Sequence, residues 1–345
     1  MFNKRLYCYG LLLCLLFMVP ASLFAKDDKP ARGSMLGGKM ATPPSWFKES
    51  FLDIGEDVAE ATDGGKHVIL FMEMNGCPYC YKMMEENFKN APYRDFIQQH
   101  FDVIALNVRG DREVALNEET TATEKEISNL LKVRYTPTII FLNKENKTVA
   151  RVNGYRNVED FKGVLDYVKE KAYKSQKLSA YLDSRKKAGK YSFRTHPHLK
   201  TITDLSSVTD KPIAVLFEDS ACVACNELHD GYLKDPEVNE SLKKMAFVRL
   251  DSLSDAPIVD HEGNKTTAKA YAEKLGITYR PSIVLFDQGK EIVRIESMLY
   301  RFHFSGVLEY VAGRHYKKYP TSPFRYLDVK TEEILKSGKD VDISK

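Results

Sequence analysis

Two pairs of cysteines have the spacing of a redox-active disulfide. Cys77 and Cys80 lie in "GCPYC", and Cys222 and Cys225 lie in "ACVAC", each behind an apolar run. Two sulfurs three positions apart at the start of a helix can reach each other in a disulfide, and the outer one is exposed to attack. A helix N-terminus carries partial positive charge, which stabilises a thiolate relative to a thiol. The pattern predicts nucleophiles at Cys77 and Cys222 and resolving thiols at Cys80 and Cys225.

Two other uses of these cysteines are open at this point. A metal clip needs four ligands, so both pairs would have to fold into one knuckle, which conflicts with the separate strand and helix pattern around each pair. A purely structural disulfide is also weakly supported, because a loop of this size restrains little chain entropy. We therefore predict no metal and no cofactor other than the redox-active disulfides themselves.

The pattern around each cysteine pair repeats along the chain. Cys77 precedes Pro137 by 60 positions, and Cys222 precedes Pro281 by 59. Matched spacing over a whole unit indicates a tandem duplication. Alternating helices and short apolar strands predict an α/β fold with a mixed central sheet flanked by helices. The first copy is predicted to contain strands 67–74 and 101–108, followed by the polar insertion 109–123. The second copy is predicted to contain strands 212–218 and 245–251, followed by the polar insertion 252–266.

The N-terminus resembles a secretory signal peptide. Lys4 and Arg5 precede an uncharged apolar run, and small residues end it with a plausible cleavage point after Ala25. We expect an exported, periplasmic protein, or a membrane-anchored one if the segment is not cleaved. The predicted organisation is signal peptide 1–25, flexible tether 26–45, first domain 46–175, helix and linker 176–199, second domain 200–316 and C-terminal tail 317–345. The first helix is predicted to begin at Trp46, because Phe47, Phe51, Ile54 and Val58 have helical spacing.

The composition does not favour a strongly charged partner. The chain of 345 residues has 51 Lys and Arg against 48 Asp and Glu, a net charge of +3 at pH 7. A net charge so close to zero does not favour nucleic acid as a partner.

The combination of Cys-x-x-Cys with a later proline that opens a strand resembles the thioredoxin fold. In that family a cis-proline loop lies against the active-site cysteines and binds the substrate backbone. The resemblance implies two tandem thioredoxin-fold domains, in which Thr136, Pro137, Arg280 and Pro281 bind substrate. It also implies a substrate-binding glycine after the last strand, which is Gly154 in the first copy. The second copy has Ser297 near that place.

Each copy resembles a different branch of the family. "LFMEMNGCPYC" and "YTPTIIFLN" are similar to exported thioredoxins of the SoxW type, and "CVAC" followed by "DPEV" is similar to the C-terminal thioredoxin domain of the DsbD electron transporter. These resemblances imply thiols and disulfides of exported proteins as partners, together with a membrane electron donor of the DsbD type.

The sequence departs from the family at a buried acidic position. Many thioredoxins have an Asp six positions before the first cysteine, where this chain has Phe71 and Leu216. Glu73 and Glu218 lie four positions before the first cysteine of each pair. Because side chains alternate along a strand, each lies on the same strand face as the position of the family's Asp, so both are candidates for a proton relay. The alternative is that both are solvated carboxylates at a strand end.

These observations predict an exported thiol:disulfide oxidoreductase that reduces protein disulfides through mixed disulfides. One alternative is a disulfide oxidase or isomerase, because Pro-Tyr and Val-Ala between the cysteines do not determine the reduction potential. The other is one catalytic domain joined to a thioredoxin-like domain that only binds a client or its neighbour.

Overall fold

The computed structural model describes residues 31–186, 189–320 and 322–345. The predicted signal peptide, its alternative as an uncleaved anchor and the beginning of the predicted tether (26–30) lie outside these residues. Within the part that is described, no helix combines the length and the hydropathy needed to cross a membrane.

The first domain is built on a mixed sheet with the strand order β3-β2-β6-β7. β2 pairs in parallel with β3 and antiparallel with β6, and almost all of its residues are buried because helices cover both faces of the sheet. Up to the end of this domain the elements are β1 (Met35–Leu36), α1 (Ile54–Asp63), β2 (His67–Glu73), α2 (Pro78–Met83), α3 (Arg94–His100), β3 (Phe101–Asn107), β4 (Glu113–Asn117), β5 (Thr120–Thr123), α4 (Glu124–Leu130), β6 (Thr138–Leu142), β7 (Thr148–Asn153) and α5 (Val158–Lys169).

The second domain repeats this arrangement, with the strand order β14-β13-β9-β10-β8. β9 pairs in parallel with β10 and antiparallel with β13, as β2 does with its neighbours. From the connecting helix to the C-terminus the elements are α6 (Leu178–Ser184), β8 (Leu199–Lys200), β9 (Ile213–Glu218), α7 (Cys225–Asp230), α8 (Pro236–Lys243), β10 (Ala246–Asp251), β11 (Pro257–Val259), β12 (Lys265–Thr267), α9 (Ala268–Lys274), β13 (Ser282–Asp287), β14 (Lys290–Ile295), α10 (Arg301–Ala312), α11 (Pro323–Lys336) and β15 (Val341–Asp342).

The two domains share a hydrophobic core. Because side chains alternate along a strand, each sheet has two apolar faces. Leu70 on one face of β2 belongs to a cluster confined to the first domain, and Val215 of β9 belongs to a cluster confined to the second. Phe71 and Leu216, on the opposite faces, belong to a single cluster of buried residues that runs through both domains. Apolar burial therefore holds the domains together.

The first helix begins later than predicted. α1 begins at Ile54, and the carboxylate of Asp53 caps it by accepting a hydrogen bond from Glu56 N–H. Trp46 and Phe47 precede the helix and pack in the core, whereas Phe51 is fully exposed. The helical spacing of the apolar residues arose from two separate elements: Phe47 lies in the loop before the helix, and Ile54 and Val58 lie in α1. The helix predicted from Pro78 to about Asn90 consists of α2 and a π-helical turn, Met84–Lys89.

The two polar insertions, the tether and the C-terminal tail all contain regular structure; for the tail, the sequence leaves a short helix and a mobile segment as alternatives. The insertions form the hairpins β4-β5 and β11-β12. The C-terminal tail contains α11, capped by Ser322 with proline at its first position, and then β15. β15 pairs in parallel with β1, so the part of the predicted tether at Met35–Leu36 is joined to the tail. Short strands and an isolated helix such as these depend on contacts that local patterns do not encode.

Candidate active site

The first cysteine pair lies where β2 gives way to α2. Cys77 and Cys80 form a disulfide with a Cα–Cα distance of 5.3 Å. Cys77 is the N-cap of α2, and its Sγ accepts a hydrogen bond from the Cys80 N–H at 3.1 Å. Pro78 occupies the first helical position, where no N–H is needed. The local sequence thus places one sulfur at the helix N-terminus, as predicted.

The predicted substrate-binding residues of the first domain lie beside this sulfur. The Thr136–Pro137 peptide bond is cis, and both the carbonyl oxygen and Oγ1 of Thr136 lie 3.5 Å from Sγ of Cys77. Gly154 donates its N–H to the carbonyl of Pro137 at 2.7 Å and has a φ of +80°, which favours glycine. The structure therefore brings Cys77, Thr136, Pro137 and Gly154 to one surface, which we call the first client face.

The second cysteine pair has a different local geometry. Cys222 and Cys225 form a disulfide with a Cα–Cα distance of 5.4 Å, and the Arg280–Pro281 bond is cis. α7 begins at Cys225 and not at Cys222, which lies in the preceding turn and accepts the Cys225 N–H through its carbonyl. This chain lacks proline between these two cysteines, so nothing presets the first helical turn there.

Arg280 is enclosed by partners within the protein. Its side chain is only 2% exposed, and Nε lies 2.8 Å from Oγ of Ser252 and 3.3 Å from the carboxylate of Asp219. Another guanidinium nitrogen lies 3.3 Å from Asp183 on α6, the helix that connects the domains. Asp219 is itself fully buried and is also paired with Lys186, at 3.0 Å. Arg280 thus anchors the connecting helix beside the second site, a placement that the sequence did not predict.

The two glutamates of the predicted proton relay have unlike environments. Glu73 is partly exposed, and its pKa is raised to about 7, chiefly because burial disfavours the charged form and also because Glu124 is nearby; Arg112 lowers it. Glu218 is 0% exposed. The sequence allows either a proton relay or a solvated carboxylate at a strand end, and Glu218 is therefore not the solvated carboxylate.

Glu218 belongs to a buried polar group near the second cysteine pair. Its Oε1 accepts a hydrogen bond from the Tyr191 hydroxyl at 3.1 Å and lies 2.8 Å from Nε2 of His229. Its Oε2 is buried with no hydrogen-bond partner, and a guanidinium nitrogen of Arg249 is 4.0 Å away. Tyr191 also packs against both Cys222 and Cys225 in a small cluster.

The second domain covers the first cysteine pair. Tyr79, between the two cysteines, stacks on Tyr300 with ring centroids 4.9 Å apart, and its hydroxyl accepts a hydrogen bond from the Tyr300 N–H at 2.9 Å. The same hydroxyl lies 2.9 Å from Nδ1 of His303 on α10. Burial lowers the pKa of His303 to about 4, so its imidazole is neutral at pH 7 and its Nδ1 can accept a hydrogen bond from the Tyr79 hydroxyl.

Corresponding positions of the two repeats meet at this interface. A side chain at Gly154 would collide with Ser297, its counterpart in the second domain. Tyr135 and Tyr279 each lie two positions before the cis-proline, and both cross to the other domain. Tyr135 donates its hydroxyl to the carbonyl of Arg294 at 2.9 Å, and the ring of Tyr279 lies 4.7 Å from the guanidinium of Arg156. The domains therefore face each other through their client-binding sides, as in a pseudo-twofold dimer.

The second site opens into a cleft between the domains. The cleft has a volume of about 750 Å³, and Cys222, Val223 and Arg280 line one side of it. Val158 and Lys162 on α5 of the first domain line the opposite side. Val223, between the two cysteines, is 56% exposed. Pro78, the corresponding residue of the first site, is buried, as is Tyr79 beside it, so access to the two disulfides differs.

Two matches to one family model agree with this geometry. The model of the thioredoxin-like domain matches residues 54–169 and again residues 200–312, together about two thirds of the chain. The protein belongs to the thioredoxin-like domain family. The predicted fold class, two tandem thioredoxin-like domains with mixed sheets flanked by helices, is thereby confirmed. The cysteine pairs belong to these domains and form disulfides, which supports thiol:disulfide oxidoreductase chemistry.

Several solved structures are similar to parts of this chain. A thioredoxin-fold protein from Helicobacter pylori is 24% identical, with 35% of this chain and 84% of that chain covered and a TM-score of 0.32. The DsbH oxidoreductase is 17% identical, with coverages of 39% and 92% and a TM-score of 0.28. The oxidised C-terminal domain of DsbD from Neisseria meningitidis is 14% identical, with coverages of 34% and 88% and a TM-score of 0.24. Such low identities and TM-scores add nothing to the family matches. No curated protein matches the chain.

Several residues near the sites were not predicted from the sequence. Tyr191 was assigned to the linker, yet it packs against the second cysteine pair. His229 differs from the others, because the sequence places it near the second cysteine pair and favours a local hydrogen bond for it; the structure gives Glu218 as the partner. Asp219 follows Glu218, the last residue of β9, and nothing about this position in the sequence indicates that it pairs with Arg280. Tyr300 had no signal at all, because its role depends on the other domain.

Proposed function

We propose that the protein is an exported thiol:disulfide oxidoreductase that reduces disulfides of exported proteins. The observation that carries the proposal is that each domain holds a Cys-x-x-Cys disulfide next to a loop with a cis-proline. In the first domain the residue before that proline touches the outer sulfur. A polypeptide whose backbone lies along such a loop would present its own disulfide to the outer cysteine sulfur of that domain.

The reaction is a pair of thiol–disulfide exchanges. In the reduced protein, the outer thiolate attacks a client disulfide; that bond breaks, a mixed disulfide forms and one client thiolate leaves. The inner thiol then loses its proton and attacks the outer sulfur, which releases the second client thiolate and forms the disulfide seen here. Two electrons pass to the client, and a membrane dithiol donor of the DsbD type would restore the reduced state.

Insulin reduction with dithiothreitol tests the proposal. We expect the turnover to depend on Cys77, on Cys222 or on both, and the double variant Cys77→Ser, Cys222→Ser to fall to the uncatalysed rate, because the outer thiolate makes the first bond. Undiminished turnover in the double variant would refute a catalytic role.

The direction of electron flow is tested by the reduction potentials. Potentials in this fold run from about −270 mV for thioredoxin to about −120 mV for DsbA. A reductase requires values near the lower limit in glutathione equilibration of each pair, whereas values near the upper limit would favour the alternative of an oxidase or isomerase.

A further inference from the structure

The first client face is already occupied. The segment Glu296–Tyr300, between β14 and α10, lies across it: Ser297 packs against Gly154, the Met298 sulfur is 3.8 Å from Nζ of Lys82, and Tyr300 stacks on Tyr79. Its backbone N–H at Tyr300 is also satisfied, by the hydroxyl of Tyr79. We call this stretch of the second domain the covering segment.

We propose that the two client-binding sides have different partners, and this rests on the proposed function. The first client face takes the covering segment of the second domain as its resident partner. Protein clients from outside engage Cys222, in an extended conformation, through the cleft that α5 of the first domain walls. The first domain therefore contributes to client binding at the second site rather than at its own.

Burial supports the first half of this division. Cys77 is 3% exposed, and the ring of Tyr79 that would lie under a client is sandwiched by the other domain. A client at Cys77 would have to displace Tyr300 and expose part of the core that the domains share. Every displaced apolar side chain returns to water, and the Tyr79 hydroxyl loses two partners. Binding of an external client at the first client face would therefore disrupt contacts that hold the two domains together.

The cleft supports the second half. Cys222 is 5% exposed, about as little as Cys77, so the exposure of the sulfurs does not distinguish the sites. The surroundings do, because Cys222 faces open space bounded by Val223 on one side and by Val158 and Tyr93 of the first domain on the other. These apolar groups stand among charges of both signs, which suits an unfolded polypeptide segment better than a ligand of one charge.

Access can be measured separately from thiol chemistry. Chains that begin at Lys26 and keep a single cysteine, Cys77 or Cys222, are reacted with a small maleimide and with the same maleimide on a bulky polyethylene glycol. The ratio of the bulky to the small rate constant cancels the thiolate fraction, because both reagents attack with the same chemistry. We expect this ratio to be about tenfold lower at Cys77 than at Cys222, and the difference to vanish in denaturant.

Variants of the covering segment provide the second arm. Tyr300→Ala should raise the ratio at Cys77 by up to about tenfold, the equivalent of losing one aromatic stack, and leave the ratio at Cys222 unchanged. Tyr316→Ala is the control, since the Tyr316 hydroxyl bonds Asp287 within the second domain. Equal ratios at the two cysteines in the folded single-cysteine chains would overturn the inference. Insulin turnover of the intact protein tests the proposed function independently, so the two can fail separately.

Discussion

Nε2 of His229 lies 2.8 Å from Oε1 of Glu218, and both side chains are buried. His229 is on α7 one turn after Cys225, and the Tyr191 hydroxyl donates to the same carboxylate oxygen. Two other elements bring charged or titratable groups to this pair, Tyr191 from the connection and Arg249 from β10, and Tyr191 also belongs to a cluster with Cys225. A carboxylate and an imidazole that are positioned near a thiol can act as general acid and base in its proton transfer.

We therefore expect Glu218 and His229 to assist proton transfer at Cys225. Glu218→Gln and His229→Asn should each slow reduction of the second disulfide by about a hundredfold, the lower end of the range for general acid–base catalysis, and should change its pH profile. The measurement is stopped-flow reduction by dithiothreitol, resolved by site with Cys77→Ser, Cys80→Ser chains. Glu73→Gln is the matched control and should leave this site unaffected. A slower rate with an unchanged pH profile would mean that the pair has only a structural role.

The raised pKa of Glu73 predicts a pH-dependent stability. Its pKa rises from 4.5 to about 7 in the folded protein, mainly through burial, so between these values the native state holds a proton that the unfolded chain releases. Stability from this group is fully present below pH 4.5 and is lost as pH rises to about 7. Glu73→Gln does not titrate, so in urea unfolding it should gain stability over the wild type at about pH 8 compared with about pH 5. A difference that does not vary with pH would contradict this assignment.

Arg280 and Thr136 should differ when they are replaced, although both precede a cis-proline. Arg280→Ala leaves the buried Asp219 without its guanidinium partner and should cost about 3 to 5 kcal/mol of unfolding free energy. Thr136→Ala removes only a 3.5 Å contact with Cys77, so its unfolding free energy should change little. Urea titrations of the two variants measure the difference. Equal stability of the two variants would show that the ion pairs around Arg280 contribute nothing.

The C-terminal helix α11 should be part of the stable fold. Leu327 is buried, and it packs so closely on α10 that a side chain at Gly306 would collide with it. Leu327→Ala should therefore cost about 2 to 5 kcal/mol, the usual range for a buried leucine. Glu333→Ala, on the exposed side of the same helix, is the control and should be nearly neutral. Thermal unfolding that is the same in both variants would mean that the tail packs only loosely.

The sequence alone determined the repeat, the mixed α/β class and the positions of both cysteine pairs with their prolines. These features are local: apolar runs with strand spacing, a cysteine spacing matched to a helix start, and a proline before a strand all act within a few residues. A second copy at nearly the same spacing made each local signal stronger. The four predicted strands, 67–74, 101–108, 212–218 and 245–251, fell close to their predicted positions for the same reason.

Only the tertiary structure decided what surrounds each disulfide. Tyr79 meets Tyr300, and Met35 pairs with Val341, across separations of more than two hundred residues, which no periodicity encodes. Arg280 has the same sequence context as Thr136, yet one is buried among carboxylates and the other touches a sulfur. The difference arises because Arg280 pairs with Asp219 and with Asp183 on the connecting helix, whereas Thr136 lies beside Cys77. Contacts between elements that are distant in the chain are set by shape and burial, and they make two similar sites unequal.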